Sequence, residues 1–442
     1  MGLTSQSLEI TVIVLALACV AATVWAWPRL ARDGVRPVLG RLGAIVATQL
    51  SIVCALALAV NSSFEFYGSW DELLGNNEEA PASVSQNGGT YASVGNIKGG
   101  LIQPAGPQGL DRVTGLPKGP ASKVGKVESV RIIGRRTRAI NPGFVYLPPQ
   151  YFQQQFHRQR FPVMVVISGY PGGIMNLAQH LQVPQHAGQL IAQGRMQPTV
   201  IVMVRPTIAP PRDTECVDVP GGPKAETFFT KDLPDALKSA YRVGHDPSAW
   251  GAFGYSSGGS CSLQLAMRNP KVYTSAVSLS GDYSIKDDLT TGSLFGAGIE
   301  GAKRQREHDL LWRLKHMPAP QISALVASSR KGEQDYGETM KFIHAAKPPM
   351  TVDSIILPHG SHQFATWRRE VVSALEWQSQ QLTFPQDTEA PKPPHKPGTV
   401  PPNGQAPGKG QAQGKGAAPS NAPVSTPGAA ERKRVEAEKP QG

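Results

Sequence analysis

The sequence predicts an α/β fold with a mostly parallel sheet, placed after two transmembrane helices. Three observations lead to this prediction. Apolar, strand-like runs alternate with helix-like segments over residues 126–384, which is typical of strand–helix–strand units. A Gly-x-Ser-x-Gly turn at Gly254, Ser256 and Gly258 joins one such run to a helix-like segment. Two long apolar stretches lie near the N-terminus, and each is close to the ~20 residues that cross a hydrocarbon core.

The two apolar stretches predict transmembrane helices at about 8–27 and 42–61, within an N-terminal region of residues 1–63. The short loop between them holds four arginines and one aspartate: Arg29, Arg32, Arg36, Arg41 and Asp33. Because cytoplasmic loops accumulate positive charge, we expect this loop inside a bacterial cell and the N-terminus and all residues after 62 outside the membrane. A cleaved signal peptide and a pair of buried core helices are the alternatives.

Two further regions differ from the rest in composition. Residues 64–125 are rich in Gly, Pro, Ser, Asn and Gln, which predicts a largely irregular extracytoplasmic linker. Residues 385–442 contain almost no large apolar side chain. They cannot bury enough surface to offset the entropy of ordering, so we expect a disordered tail. The folded domain is therefore expected at 126–384.

The chain has a formal net charge of +11, which is compatible with nucleic acid, an anionic membrane surface or basic loops and tails. The sequence has no basic stripe interleaved with aromatic residues and no nucleic-acid motif. We therefore expect no nucleic-acid partner and a lipid bilayer contacted through the two spans. Because no cysteine or histidine spacing is typical of metal ligands, neither a metal ion nor a cofactor is predicted.

The four cysteines fall into two groups. Cys19 and Cys54 lie inside the apolar stretches and are interpreted as small buried hydrophobic residues. Cys216 and Cys261 are the pair in the soluble region, and outside the cell such a pair is expected to form a disulfide. Closing this loop would stabilise the fold by roughly 3–4 kcal/mol. Two unrelated free thiols are the alternative.

Strand-like runs recur along the folded domain, and several are continuously apolar, as expected for strands covered on both faces. The predicted strands are Val127–Ile133, Gly143–Leu147, Phe161–Ile167, Thr199–Val204, Ala249–Phe253, Ser275–Ser280, Ser323–Ala327 and Val352–Leu357, and the predicted helices are Thr227–Ala240, Gly259–Arg268 and about Trp367–Gln380. Their alternation predicts helices on both faces of the sheet.

The glycine-flanked serine is the candidate nucleophile. A nucleophilic serine on a strained strand-to-helix turn needs glycines two residues to either side, because Cβ atoms there would collide. The helix that follows presents its N-terminus and the N–H of Ser257 to a developing oxyanion. A second oxyanion N–H is expected at Tyr170, in a glycine-rich loop after an apolar strand. A Gly/Ser-rich turn without chemistry is the alternative reading of Gly254, Ser256 and Gly258.

In this kind of site the nucleophile is followed along the chain by an acid and then a histidine. We predict His362 as the general base, because it follows a glycine-containing turn and precedes the last helix, whereas His359 lies nearer the strand. The acid is expected in the loop after the Ser323–Ala327 strand. Asp335 is the first choice, Glu333 the alternative and Glu338 the third.

These motifs resemble those of a known family. The segments Ala225–Pro234 and Gly254–Gly259 look like the putative-esterase branch of the α/β-hydrolases, which includes esterase D, the enterochelin esterases and the secreted trehalose mycolyltransferases. Gly360–Trp367 is similar to the Gly-x-His…Trp ending of that branch. Two N-terminal spans ahead of such a domain also resemble a group of membrane-anchored bacterial esterases. The resemblance covers about residues 126–382.

The resemblance implies an α/β-hydrolase fold and a serine esterase that works through an acyl-enzyme on Ser256, with His362 as the base. The implied substrate is a carboxylic ester or an acyl lipid. An acyltransferase that moves the acyl group to a sugar or cell-wall hydroxyl is the first alternative. A non-catalytic binding module with a hydrolase fold is the second.

Overall fold

The computed structural model describes residues 6–31, 33–64, 100–105, 110, 114–333 and 335–386. Most of the predicted linker at 64–125 and nearly all of the predicted tail at 385–442 lie outside the described residues, so the composition-based predictions for these regions stand untested.

Two apolar helices open the described chain, α1 at Gln6–Leu30 and α2 at Val35–Phe64. They pack against each other, and the hydroxyls of Thr23 and Thr48 share a hydrogen bond of 2.8 Å between them. Such a bond satisfies polar groups that an apolar surrounding would otherwise leave without a partner. Both helices are long and apolar enough to cross a membrane, a property that N-terminal signal sequences share.

One mixed sheet organises the folded domain. Within the described ranges its strands, in chain order, are β1 Ile102–Pro104, β2 Lys126–Ile133, β3 Ile140–Leu147, β4 Val163–Ile167, β5 Val200–Val204, β6 Trp250–Tyr255, β7 Ser275–Leu279, β8 Ser323–Ser329 and β9 Thr351–Leu357. They lie side by side in the order β1-β2-β3-β5-β4-β6-β7-β8-β9. Strands β4 to β9 run parallel, and β1, β2 and β3 pair antiparallel. The predicted mostly parallel sheet is confirmed.

Strand β1 comes from the region predicted to be a linker. It pairs antiparallel with β2, with Ile102 opposite Ile132 and Pro104 opposite Val130. A strand of three residues that ends in proline shows neither alternation nor a run of β-branched residues, so the sequence pattern gives no signal for it. Proline is tolerated there because β1 is an edge strand.

Helices cover both faces of the sheet. Those of the folded domain are α3 Ala121–Val124, α4 Val183–Ala192, α5 Ala225–Thr227, α6 Leu233–Ala240, α7 Ser257–Arg268, α8 Gly298–Glu307, α9 Leu310–His316, α10 Tyr336–Ala345 and α11 Phe364–Gln381, with π-helical turns at Asn176–His180 and Phe228–Asp232. All three predicted helices are present, and a π-helical turn interrupts the one at Thr227–Ala240.

The core consists of two layers, one on each face of the sheet. Alternate residues of β6 enter opposite layers: Trp250 and Ala252 belong to one, and Phe253 and Tyr255 to the other. This alternation follows from the two-residue period of a strand. Because β6 is buried along its whole length, the residue that follows it is held in a fixed position at the edge of the sheet.

Two segments pack together and are called the cap below: residues 205–223 and residues 284–318, the second of which contains α8 and α9. A small apolar cluster joins them, with Val217 and Val219 from the first segment and Phe295 from the second among its members. The Arg212 guanidinium donates to the carbonyls of Thr291 and Ser293 at 2.7 and 2.8 Å.

Candidate active site

The predicted site residues lie at one edge of the sheet. Each follows the carboxyl end of a parallel strand: Tyr170 after β4, Ser256 after β6, Glu333 and Asp335 after β8, and His362 after β9. Since parallel strands end at the same edge, the sheet brings together groups that are far apart along the chain. Ligands of open α/β sheets bind at this edge.

Ser256 occupies a strained turn between β6 and α7. Its backbone has φ 55° and ψ −132°, a region that residues with a Cβ rarely adopt. The N–H of Ser256 donates to the carbonyl of Leu279 on the neighbouring strand at 2.9 Å, which helps to fix the turn. Strain of this kind is found at functional sites, where the surrounding structure holds it in place.

The flanking glycines are required by close backbone contacts. A Cβ on Gly254 would collide with the carbonyl of Gly258, and a Cβ on Gly258 would collide with the carbonyl of Ile167 at the end of β4. The sequence argument that glycines relieve crowding around this serine is therefore confirmed in atomic detail.

Ser256 and His362 are in direct contact. The serine Oγ and the His362 Nε2 atom are 2.8 Å apart, a hydrogen-bond distance. His362 lies in the turn between β9 and α11. His359 does not contact Ser256 in the described part of the chain; its carbonyl accepts a hydrogen bond from Arg369 at 2.7 Å.

The surroundings of His362 favour its neutral form. Desolvation by the surrounding protein lowers the pKa of His362 below its ordinary value, although part of the ring surface is exposed. The charges of Glu333 and, more weakly, Asp335 act in the opposite direction. A neutral imidazole next to a serine hydroxyl can accept its proton, which is the state that a general base needs.

Glu333 is held by a network of hydroxyl and amide donors. Its Oε2 atom accepts hydrogen bonds from the Ser328 hydroxyl and the Ser329 N–H, both at 2.8 Å, and its Oε1 accepts from the Ser280 hydroxyl. Ser280 in turn accepts from the indole N–H of Trp367 at 2.9 Å. These donors hold the carboxylate in a fixed orientation.

Asp335 and Glu338 stand at the start of α10. The carbonyl of Asp335 accepts a hydrogen bond from the Thr339 N–H at 2.9 Å, and its carboxylate has no hydrogen-bond partner among the described residues. Burial, followed by the charges of Asp335 and Glu338, raises the pKa of Asp282 to about 6. Within the described residues, neither Glu333 nor Asp335 hydrogen-bonds to the second ring nitrogen of His362.

A cavity of about 400 Å³ opens beside these groups. Its wall includes both candidate acids and the histidine: Ser280, Gly281, Ser328, Gly332, Glu333, Asp335, Thr339, Ser361 and His362. The sequence did not single out Ser280 or Ser328. The signal that could have indicated the two serines is their position at the carboxyl ends of β7 and β8.

The two predicted oxyanion residues are also brought together. The N–H of Tyr170 donates to the Ser257 hydroxyl at 2.7 Å. The Gly169 backbone lies so close to the nucleophile that an added Cβ would be 2.9 Å from the Cβ of Ser256. The phenol of Tyr170 donates to the carbonyl of Pro211 in the cap.

Cys216 and Cys261 lie side by side, with Cα atoms 5.5 Å apart, which is within the range that disulfides require. Cys216 belongs to the cap, and Cys261 is in the second turn of α7, behind the nucleophile. Within the described ranges, no group of three or more His, Cys, Asp or Glu side chains is arranged to hold a metal ion.

Comparison with known proteins places the chain among esterases. A family model described as "Putative esterase" matches residues 137–401, which is more than half of the chain. An uncharacterized protein of Corynebacterium glutamicum is 25% identical over 247 residues, covering 53% of this chain and 56% of that protein. The chain therefore spans about half the length of that relative.

Solved structures of an esterase and a hydrolase are among the proteins similar to this chain. A ferulic acid esterase is 18% identical with a TM-score of 0.48, covering 58% of this chain and 98% of that chain. An S-formylglutathione hydrolase from Agrobacterium tumefaciens is 15% identical with a TM-score of 0.48, covering 60% of this chain and 99% of that chain. Likenesses this distant carry no argument about substrate. On the extent of the family match, the chain belongs to the "Putative esterase" family.

Proposed function

We propose that this protein is a serine esterase that cleaves carboxylic esters through an acyl-enzyme on Ser256. The observation that carries the proposal is the 2.8 Å hydrogen bond between Ser256 Oγ and His362 Nε2 at a strained strand-to-helix turn. A serine hydroxyl in contact with an imidazole of lowered pKa is an activated nucleophile. Membership of an esterase family supports ester hydrolysis as the class of reaction.

The reaction proceeds in two halves. His362 accepts the proton of Ser256 as the serine oxygen attacks the ester carbonyl, and the carbonyl electron pair moves to oxygen. The backbone N–H of Ser257 lies at the N-terminus of α7 and stabilises this oxyanion. Collapse expels the alcohol, which receives the proton from His362. Water then attacks the acyl-enzyme with His362 as base, and the acid product and free Ser256 are released.

Glu333 is the acid that we propose for the triad, in preference to Asp335. Its carboxylate is oriented by donors from Ser280, Ser328 and Ser329, and its charge acts on His362 more strongly than that of Asp335 does. The Asp335 carboxylate has no such support in the described residues. Hydrogen bonds between catalytic groups are often incomplete without substrate, so movement of the imidazole toward Glu333 on substrate binding would complete the triad.

Attachment to the outer face of a bacterial membrane completes the proposal. Support comes from α1 and α2, which have the length and composition of spans, and from the arginines between them, which favour a cytoplasmic loop. The position of Cys216 against Cys261 supports a disulfide and therefore an oxidising compartment. The partners in this setting are the bilayer and an ester or acyl-lipid substrate.

The test uses the detergent-solubilised full chain and a fluorophosphonate probe together with p-nitrophenyl esters of several chain lengths. We expect labelling and turnover in the wild type and the loss of both in Ser256→Ala. Ser239→Ala, which removes an exposed hydroxyl on α6, is the matched control and keeps both.

A folded wild-type protein that neither labels nor turns over esters would contradict the esterase proposal and favour a binding module. The reaction products test the acyltransferase alternative. When an acceptor with a sugar or cell-wall hydroxyl is added in competition with water, an ester of that acceptor accumulates only if the protein is an acyltransferase.

A further inference from the structure

We propose that the Ser257 side-chain hydroxyl is itself a donor of the oxyanion hole, supported from behind by the backbone N–H of Tyr170. This inference rests on the proposed esterase function and deepens it. The backbone N–H of Ser257 remains the other donor. In this arrangement one residue supplies two donors to the oxyanion, one from its main chain and one from its side chain.

The hydrogen bond between Tyr170 and Ser257 fixes the direction of donation. An N–H can only donate, so the Tyr170 N–H uses a lone pair of Ser257 Oγ at 2.7 Å. The hydroxyl proton of Ser257 is left to donate elsewhere. Among the described residues, no acceptor takes that proton. Ser257 is half-buried, so this donor is only partly open to solvent.

The position of this hydroxyl is suited to the reacting oxygen. Ser257 is the first residue of α7 and directly follows the nucleophile. The loop that carries Tyr170 lies against Ser256, because a Cβ on Gly169 would be 2.9 Å from the Cβ of Ser256. The hydroxyl therefore lies between the two backbone segments that flank the attacking oxygen.

The supporting N–H is held in place from the other side. The Tyr170 phenol donates to the carbonyl of Pro211 in the cap, so the residue is fixed at both its backbone and its ring. A hydroxyl that accepts a hydrogen bond becomes more polarised and donates more strongly. If Ser257 instead rotated away to expose the Tyr170 N–H, that hydrogen bond would be lost before the oxyanion had formed.

Ser257 keeps its hydroxyl proton throughout the formation and collapse of the tetrahedral intermediate. Ser256 Oγ forms a bond to the carbonyl carbon, its proton moves to His362, and the carbonyl π pair moves to oxygen. The resulting oxyanion accepts hydrogen bonds from the N–H and the hydroxyl of Ser257. Collapse of the intermediate restores the carbonyl and expels the alcohol, which takes the proton from His362.

A matched pair of substitutions tests the role of the hydroxyl. Ser257→Thr keeps it, and Ser257→Val has nearly the same shape without it. With p-nitrophenyl esters, we expect Ser257→Val to lose about 100-fold in kcat with little change in KM, which is the loss typical of removing one oxyanion donor. Ser257→Thr should retain at least about tenfold more kcat than the valine variant. The kcat of Ser257→Ala should fall to about the level of the valine variant.

Several outcomes would overturn the inference. Ser257→Ala with a kcat equal to or above that of the wild type would mean that the hydroxyl blocks the Tyr170 N–H. Equal kcat values for folded Thr and Val variants would assign the residue a purely structural role. A wild-type protein without fluorophosphonate labelling would instead refute the esterase proposal itself, so the two failures are distinguishable.

Discussion

At the scale of single residues, Glu333 and Asp335 lie in the same loop and line the same cavity, yet their carboxylates differ in hydrogen bonding. Glu333 receives three hydrogen bonds from side chains and backbone of β8 and of the turn after β7. Asp335 contributes a backbone carbonyl to the start of α10. The sequence predicts the acid in this loop, because the acid of such a site follows the strand that β8 represents. It favours Asp335 over Glu333, because the sequence does not reveal the donors that hold Glu333, which come from separate parts of the chain.

We predict that Glu333→Gln and Asp335→Asn differ in the pH dependence of kcat/KM. The base must be neutral, so activity rises with pH through the His362 pKa, which lies below its ordinary value. Because the Glu333 charge raises that pKa, Glu333→Gln should move the rise to lower pH and reduce kcat by about 10²–10⁴-fold. Asp335→Asn should shift the rise in activity to a smaller extent and keep most of the kcat.

Rate profiles from pH 4 to 9 for the wild type and both variants provide the measurement. If Asp335→Asn loses more kcat and shifts the pH profile further than Glu333→Gln does, Asp335 is the acid of the triad.

At the scale of elements, the strands and the nucleophile turn follow from local pattern, and the exceptions have physical causes. Mostly apolar runs mark β4 to β7 because those strands are covered on both faces. Helix α11 is different. Glu370 follows two arginines in the sequence and has the pattern of a solvated helical charge, yet it is fully buried between α11 and the sheet. Only tertiary packing reveals this.

We predict that Glu370 makes stability depend on pH. Burial, with a further contribution from the Glu333 charge, raises the pKa of Glu370 from 4.5 to about 8. Between these values the unfolded state has released a proton that the folded state still holds, so the free energy of unfolding falls as the pH rises. Glu370→Gln cannot ionise, and by pH 8 it should be more stable than the wild type by roughly 3–5 kcal/mol.

Thermal unfolding of the full chain in detergent, followed from pH 5 to 9, measures this difference. Glu300→Gln, on the exposed face of α8, is the control and should track the wild type. Parallel curves for Glu370→Gln and the wild type would show that Glu370 is ionised in the folded protein.

At the scale of the whole molecule, two apolar helices precede a domain of the "Putative esterase" family. Hydropathy predicts both helices well because their length and composition are local properties. It does not distinguish spans from a signal sequence, since the two share these properties. The arginine-rich loop is the feature that favours two retained spans with the domain outside.

We predict that the mature protein keeps residues 1–64 and exposes the catalytic domain on the outer face of the membrane. Intact mass and N-terminal sequencing of membrane-extracted protein report retention. Protease added to spheroplasts should remove the domain, whereas a cytoplasmic marker protein is spared. A mature chain that begins after α1 would indicate a cleaved signal peptide, and a protected domain would indicate the opposite orientation.

The edge strand β1 has a mechanical consequence. It is the first described element after α2, and it joins the sheet through antiparallel bonds to β2 that continue on either side, from the Ile133 N–H to the Leu101 carbonyl and from the Ala105 N–H to the Ser129 carbonyl. In an anchored protein, tension along the connecting segment would load this outermost strand in shear. Between β1 and β6 lie four strands: β2, β3, β5 and β4. A force transmitted from the membrane through the connecting segment would therefore act first on the edge strand, at a distance from Ser256.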